Sequence, residues 1–270
     1  MILSRAFNRT LILTPLILAV GCDSQPPSYE GLSPAAQPDS GGETTAAIDY
    51  PKAGMGTTPG EWDAYGADIG STKYTPLDQI NASNIDSLEI VWRRPALDEY
   101  YVNINPRQRY SNTWNAAPIV KNGVAYCTNG VGLVEAFDPG TGETIWTQEP
   151  PGGADGLPGA PTRGVAYWTD GDDERIIVQR GTFLYALNAE SGELYPDFGA
   201  NGRVDLQFMP PEFERYRWGG VPMVVRDVIV LGQSMSDTFD AKEAYRGDVH
   251  AFDVRTGEEL WTFNLSLIHI

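Results

Sequence analysis

Ala136-Phe-Asp-Pro-Gly-Thr-Gly-Glu-Thr-Ile-Trp146 recurs twice further along this chain, as Ala186-Leu-Asn-Ala-Glu-Ser-Gly-Glu-Leu-Tyr195 and as Ala251-Phe-Asp-Val-Arg-Thr-Gly-Glu-Glu-Leu-Trp261. In every copy a Gly follows the Ala by six residues. The first and third copies end in a Trp ten residues after the Ala, whereas the second ends in a Tyr one position short. An ordered repeat of this kind predicts that one supersecondary unit is used several times.

The residue types of the repeat are those of a β-hairpin. An apolar pair ends one strand, and Asp or Asn opens the turn by accepting hydrogen bonds from the backbone that follows. The Gly then supplies the positive φ that closes the turn, and a second strand carries Trp or Tyr into the core. Apolar runs predict the preceding strands at 131–134, 176–180 with 183–185, and 228–231.

The repeats are spaced by 50 and then 65 residues, which is typical of propeller blades with four strands each and an inserted loop in the longer interval. Residues 150–161 contain four Gly and four Pro and are predicted to form a loop. We find no convincing pattern of an amphipathic helix. The sequence therefore predicts an all-β fold, a β-propeller of four-stranded blades, with a two-sheet sandwich as the alternative.

The charge balance excludes one class of partner. The chain has 36 acidic and 19 basic residues, a net charge of −17, whereas nucleic-acid binding depends on neutralising phosphates with Lys and Arg. Two His and two Cys are too few for a metal cluster or a disulfide framework. We expect Cys127, next to Ala125 and Tyr126 in a predicted strand, to be a buried and inert thiol.

The N-terminal residues predict export. Arg5 and Arg9 precede a short apolar run at 11–20, and Gly21 then precedes Cys22, so residues 1–21 have the pattern of a secretory signal peptide. The segment up to Cys22 resembles the lipobox of bacterial lipoproteins, which predicts lipidation of Cys22; ordinary cleavage with a free Cys22 is the alternative. We therefore expect a periplasmic or cell-envelope protein, with a lipid as its only contact with the inner membrane.

The composition divides the remainder in two. Residues 22–60 are rich in Pro, Ser, Gly, Ala and Thr and are predicted to be a flexible tether. Residues 61–270 contain all three repeats and are the predicted propeller.

Read with its flanks, the repeat resembles the tryptophan-docking repeat, A-x-D-x-x-T-G-x-x-x-W, of the quinoprotein dehydrogenases that bind pyrroloquinoline quinone (PQQ). The stretch from Glu61 to Asn81 is similar to the opening of those enzymes, W-x-x-Y-G-x-D-x-x-x-x-x-Y-S-P-L-x-Q-I-N. Arg163-Gly-Val-Ala-Tyr-Trp168 and Phe198-Gly-Ala-Asn-Gly-Arg-Val-Asp-Leu206 match further segments. The resemblance implies an eight-bladed propeller, of which about half is expected here.

The resemblance also implies a cofactor site for PQQ and Ca²⁺. Arg163 matches an arginine that contacts oxygens of the quinone, Asn115 and Ser234 fall at positions of polar quinone contacts, and Asp237 falls where a carboxylate binds Ca²⁺. Several members have Glu at the position of Asn115, so that match is incomplete. Trp168 and Trp218 are interpreted as aromatic residues of blade packing. Pro161-Thr162 stands where the methanol-dehydrogenase branch has adjacent cysteines, which favours the glucose-dehydrogenase-like branch.

The expected function is oxidation of CH–OH groups of a sugar, polyol or alcohol, with electrons passed to ubiquinone or a cytochrome. The family's catalytic Asp is expected beyond Ile270, so the chain is interpreted as a truncated part that is poorly folded or inactive alone. The alternative is a cofactor-free propeller lipoprotein, a scaffold of the outer-membrane assembly type. Arg163 in its motif and Asp237 after Gly232 favour the enzyme.

Overall fold

The turn of the repeat has one geometry in all three copies. The computed structural model describes residues 57–68, 70–106, 114–156, 161–208, 218–234 and 247–265. The side-chain oxygens of Asp138, Asn188 and Asp253 each accept hydrogen bonds from the backbone N–H groups two and three residues further on. The closing glycines have φ of 75° at Gly142, 74° at Gly192 and 73° at Gly257. The predicted turn chemistry is therefore confirmed.

The described residues form twelve strands in three four-stranded antiparallel sheets, each in sequential order. Blade 1 contains β1 (Ile119–Lys121), β2 (Val124–Thr128), β3 (Val134–Phe137) and β4 (Thr144–Thr147). Blade 2 contains β5 (Ala166–Thr169), β6 (Glu174–Arg180), β7 (Phe183–Asn188) and β8 (Arg203–Asp205). Blade 3 contains β9 (Met223–Val225), β10 (Val228–Gly232), β11 (Val249–Asp253) and β12 (Glu259–Phe263).

Blade 2 lies between the other two. Because side chains of a strand alternate between its faces, Ile176 and Val178 of β6 join one buried cluster with blade 1, while Ile177 joins another with blade 3. The Ala that begins each repeat is fully buried. Three stacked sheets of this form are propeller blades and exclude the two-sheet sandwich. The structure describes three blades, fewer than the four of half an eight-bladed ring.

A tryptophan fastens blade 1 to blade 2, and another fastens the segment ahead of blade 1 to that blade. The indole of Trp146 in blade 1 lies over the turn glycine Gly192 of blade 2, and its Nε1 donates to the carbonyl of Ala189 at 3.0 Å. Trp92, ahead of blade 1, lies over Gly142 in the same way, with its Nε1 3.0 Å from the carbonyl oxygen of Pro139. The repeat residues Trp and Gly are therefore the two halves of one contact between blades.

The second repeat differs from its predicted hairpin. Beyond the turn it pairs only through a bridge between Leu187 and Leu194, and the fourth strand of the blade is β8, further along the chain. The hydroxyl of Tyr195 is hydrogen-bonded to Asp173, and the guanidinium of Arg175 lies 3.9 Å from the centre of its ring. These contacts hold Tyr195 against its own blade, and Val204 and Phe198, not Tyr195, lie over the turn glycine Gly257 of blade 3.

Smaller differences concern element boundaries. Of the strand predicted at 131–134, residues 131–133 lie in a turn that the Asn129 side chain fixes by accepting from the N–H groups of Val131 and Leu133, and Val134 begins β3. The predicted strands at 176–180, 183–185 and 228–231 are confirmed within β6, β7 and β10. One short helix, α1 (Glu99–Ile104), is capped by the Asp98 side chain, and two 3-10 turns occupy Ile85–Ser87 and Gly153–Gly156.

Three sequence predictions fall wholly or partly outside the described residues. The predicted signal peptide, Cys22 and the tether up to residue 56 lie outside the described residues. Within the described ranges, no helix has the length and apolar character needed to cross a membrane.

Candidate cofactor site

A cavity of about 750 Å³ is lined by residues of blade 2 and by segments that precede or follow strands of the other two blades. Three of the predicted site residues, Asn115, Arg163 and Ser234, line this one cavity. They come from the segment before β1, the segment before β5 and the residues after β10. The structure therefore brings them together, while Asp237 lies outside the described residues.

The segment that carries Arg163 is tied to blade 1. Its backbone carbonyl accepts a hydrogen bond from Ala117 N at 3.0 Å. The neighbouring Thr162 N–H donates to the Thr128 hydroxyl at 3.1 Å, and that hydroxyl donates back to the Thr162 carbonyl at 3.3 Å. The Arg163 side chain is exposed and forms no hydrogen bond or ion pair with a described residue. Its backbone is fixed and its guanidinium is available to a ligand.

Trp168 and Trp218 are both buried in the core cluster of blades 2 and 3. The Nε1 of Trp168 donates to Asp227 at 3.3 Å, and the guanidinium of Arg255 lies 4.5 Å from its ring centre. The Nε1 of Trp218 donates to the carbonyl of Leu206 at 3.1 Å. The packing interpretation holds for both, although Trp218 also lines the cavity.

Arg180 and Arg203 also line the cavity, and sequence reasoning did not single them out. Arg180 ends β6, and Arg203 begins β8. One signal was present for Arg180: it lies two and four positions after Val178 and Ile176, on the strand face that packs against blade 1. An arginine at such a position indicates a buried cation.

The cavity has a strongly positive lining. Arg163, Arg180 and Arg203 contribute three guanidinium groups, and none of the described residues that line it is Asp or Glu. In a chain with almost twice as many acidic as basic residues, this segregation is the reverse of the overall charge balance. Clefts with one sign of charge concentrate ligands of the opposite sign. The cavity is therefore suited to an anion.

The volume fits an organic cofactor, since ligand pockets are typically about 300–1,000 Å³. A second cavity of about 550 Å³ shares Arg163, Gly219 and Gly220 with the first and extends toward Tyr65 and Tyr167. Among the described residues, no group of three His, Cys, Asp or Glu side chains could hold a metal ion. The assignment of Asp237 to Ca²⁺ stays a prediction.

Two curated relatives of the chain are both named as dehydrogenases. The chain is 32% identical over 96% of its length to the dehydrogenase subunit of alcohol dehydrogenase (quinone) from Gluconacetobacter polyoxogenes, and covers 31% of that protein. It is 27% identical over 96% of its length to quinoprotein glucose dehydrogenase A from Acinetobacter calcoaceticus, and covers 33% of it. The chain thus spans about a third of the length of these curated relatives.

A solved structure agrees in fold. The quinohemoprotein alcohol dehydrogenase from Comamonas testosteroni matches with a TM-score of 0.56 at 24% identity, over 76% of this chain and 27% of that one. The family model "PQQ: Glucose/ethanol/alcohol dehydrogenase, beta-propeller domain" matches residues 62–268. This range includes all three blades, and the chain belongs to that family of PQQ-dependent dehydrogenase propellers.

Proposed function

We propose that this chain forms part of the PQQ site of a quinoprotein dehydrogenase that oxidises CH–OH groups of an alcohol, a polyol or a sugar. The observation that carries the proposal is the cavity lined by three arginines and no described carboxylate. PQQ is a planar tricarboxylate with adjacent carbonyl oxygens, so its charge is opposite to that of the lining. The names of the relatives, an alcohol and a glucose dehydrogenase, support the substrate class.

The residues of the chain would bind and orient the cofactor. Arg163, held by its backbone and free at its guanidinium, suits a bidentate contact with carboxylate or carbonyl oxygens. Asn115 and the Ser234 hydroxyl supply neutral hydrogen-bonding groups at the same cavity. PQQ, when bound, supplies the redox chemistry by accepting a hydride equivalent from the substrate.

The remaining parts of the proposal rest on sequence. Asp237 would supply a carboxylate to Ca²⁺, a cation that prefers oxygen ligands, and it follows Ser234 of the cavity by three residues. Electrons would leave to ubiquinone or a cytochrome. Export to the cell envelope with a lipid on Cys22 would place the protein beside such acceptors. A cofactor-free scaffold has no need of an arginine-lined cavity of this size.

Titration of the whole chain with PQQ, followed by quenching of tryptophan fluorescence, tests this function. We expect saturable binding that Arg163→Gln weakens roughly 10- to 100-fold, the usual loss for a hydrogen-bonded ion pair. Arg93→Gln, at an exposed arginine outside the cavity, is the matched control and should bind as the wild type does. Absence of saturable binding, or an equal loss in both variants, would contradict the proposal.

A further inference from the structure

Arg180 is a buried cation whose described partners are all uncharged. Arg180 is only 6% exposed. Its Nη1 donates to the carbonyl of Gly132 at 3.0 Å and to the Gln148 side-chain oxygen at 2.8 Å, and its guanidinium lies 4.5 Å from the ring centre of Tyr185. Its Nη2 is buried and has no hydrogen-bond partner. No ion pair of the described residues includes it.

A buried guanidinium without an anionic partner destabilises the folded protein. Arginine is almost never fully buried without a partner, because removing its charge from water carries a penalty of several kcal/mol. Burial accordingly lowers the pKa of Arg180. Neutral carbonyl and amide oxygens offset only part of that penalty. The free protein therefore holds a positive charge whose natural complement is an anion bound beside it.

The position of Arg180 indicates where that anion would lie. Arg180 lines the same cavity as Arg163 but reaches it from β6. Arg203 lies across from Tyr185 in the β7–β8 pairing, and its guanidinium lies 4.3 Å from the ring centre of Phe183. Two guanidinium groups thus cover neighbouring aromatic rings on one face of blade 2. This face forms a second positive wall of the cavity, separate in sequence from Arg163.

We propose that Arg180 binds a carboxylate of the same ligand that Arg163 binds, and that Arg203 supports it by its charge. The proposal rests on the proposed function, because it takes PQQ as the ligand. A rigid tricarboxylate can meet two cationic groups at once, and each contact fixes the orientation of the ring. Arg180 is then a specificity-determining residue, which selects a ligand with more than one carboxylate.

The test compares affinities for PQQ and for its trimethyl ester, measured by fluorescence quenching with the whole chain. Arg180→Gln should raise the Kd for PQQ roughly 10- to 100-fold and leave the Kd for the ester nearly unchanged. Arg180→Lys keeps the charge but loses the planar fork. Its Kd for PQQ should lie between those of Arg180→Gln and the wild type. Arg93→Gln again serves as the control. The melting temperature of each free variant reports whether it folds.

The outcomes separate this inference from the proposed function. If the wild type binds PQQ and Arg163→Gln weakens it, but Arg180→Gln binds within about twofold of the wild type, the function stands and the role of Arg180 is wrong. Equal losses for PQQ and the ester in Arg180→Gln would also overturn it, since a merely structural residue does not distinguish them. If PQQ does not bind at all, thermal stabilisation by dipicolinate decides: loss of that stabilisation in Arg180→Gln supports the carboxylate contact, and its persistence overturns it.

Discussion

Trp146 of blade 1 covers Gly192 of blade 2 so closely that a Cβ at residue 192 would lie 2.4 Å from the indole ring. The hydrogen bond from Trp146 Nε1 to the Ala189 carbonyl fixes the ring in this position. Gly192 is therefore required twice, for its positive φ of 74° and for the absence of a side chain. The contact between these two residues sets the distance at which one blade packs on the next.

Gly192→Ala should destabilise the protein more than an alanine in a comparable turn. Gly123 has a φ of +77° and no atom within 4 Å of the position of its Cβ, so Gly123→Ala measures the cost of the backbone conformation alone, roughly 1–2 kcal/mol. Gly192→Ala should cost about 1–3 kcal/mol more, because it also overpacks the indole. Guanidinium unfolding followed by far-UV circular dichroism gives both values. Equal costs would mean that Trp146 does not hold the blades as described.

Gly257 of blade 3 is covered by aliphatic and aromatic side chains instead of a tryptophan. A Cβ there would lie 2.5 Å from Cγ2 of Val204 and 3.3 Å from Cε2 of Phe198. We therefore expect Val204→Ala to relieve part of the damage done by Gly257→Ala, with a coupling energy of roughly 0.5–3 kcal/mol in a double-mutant cycle. In the corresponding cycle of Gly192→Ala with Val204→Ala, the two effects on the free energy of unfolding should be additive. Additivity in both cycles would contradict the assigned contact.

The parts of the fold that the sequence predicted are local. Asp138 and its counterparts interact with N–H groups two and three residues away, so the turn can be read from a short segment. The fourth strand of blade 2 was not predictable in this way. Tyr195 is held by Asp173 and Arg175, about twenty residues earlier in the chain, and no local pattern specifies such a contact.

The residues of the candidate site were likewise predicted only in part. Arg163, Asn115 and Ser234 were named from a family resemblance, and the structure brings them to one cavity. Arg180 was missed because its burial depends on Gly132 and Gln148, which belong to another blade. Its importance becomes visible only when the charges of all lining residues are compared.

Cys127 should be unreactive while the protein is folded. It is 5% exposed, and burial, together with the nearby Glu135 carboxylate, raises the pKa of its thiol to about 12. Because the thiolate is the reactive form, we expect iodoacetamide at pH 8 to label it at least about 100-fold more slowly than in denaturant. A Cys22→Ser background assigns the signal to Cys127. Labelling at the unfolded rate under native conditions would contradict the packing of blade 1.

Glu135 should make the protein less stable as the pH rises from mildly acidic values. The carboxylate is buried between Asn129, whose Nδ2 donates to it at 2.8 Å, and Arg94, with which it forms an ion pair. Burial nevertheless dominates and raises the pKa of Glu135 above its ordinary value, against the opposing effects of Asn129 and Arg94. In the window between the unfolded and the folded pKa, the native state therefore binds more protons than the unfolded state.

The sign of the effect follows from this linkage. Where the native state binds more protons, the free energy of unfolding falls as the pH increases, and the fall ends above the folded pKa. Glu135→Gln cannot ionise and lacks this dependence, so the stability of the wild type relative to Glu135→Gln should decline across the window and then level off. Glu89→Gln, at an exposed position, is the control. Urea unfolding at a series of pH values measures all three proteins, and a relative stability that rises with pH would show that the ion pair with Arg94 outweighs burial.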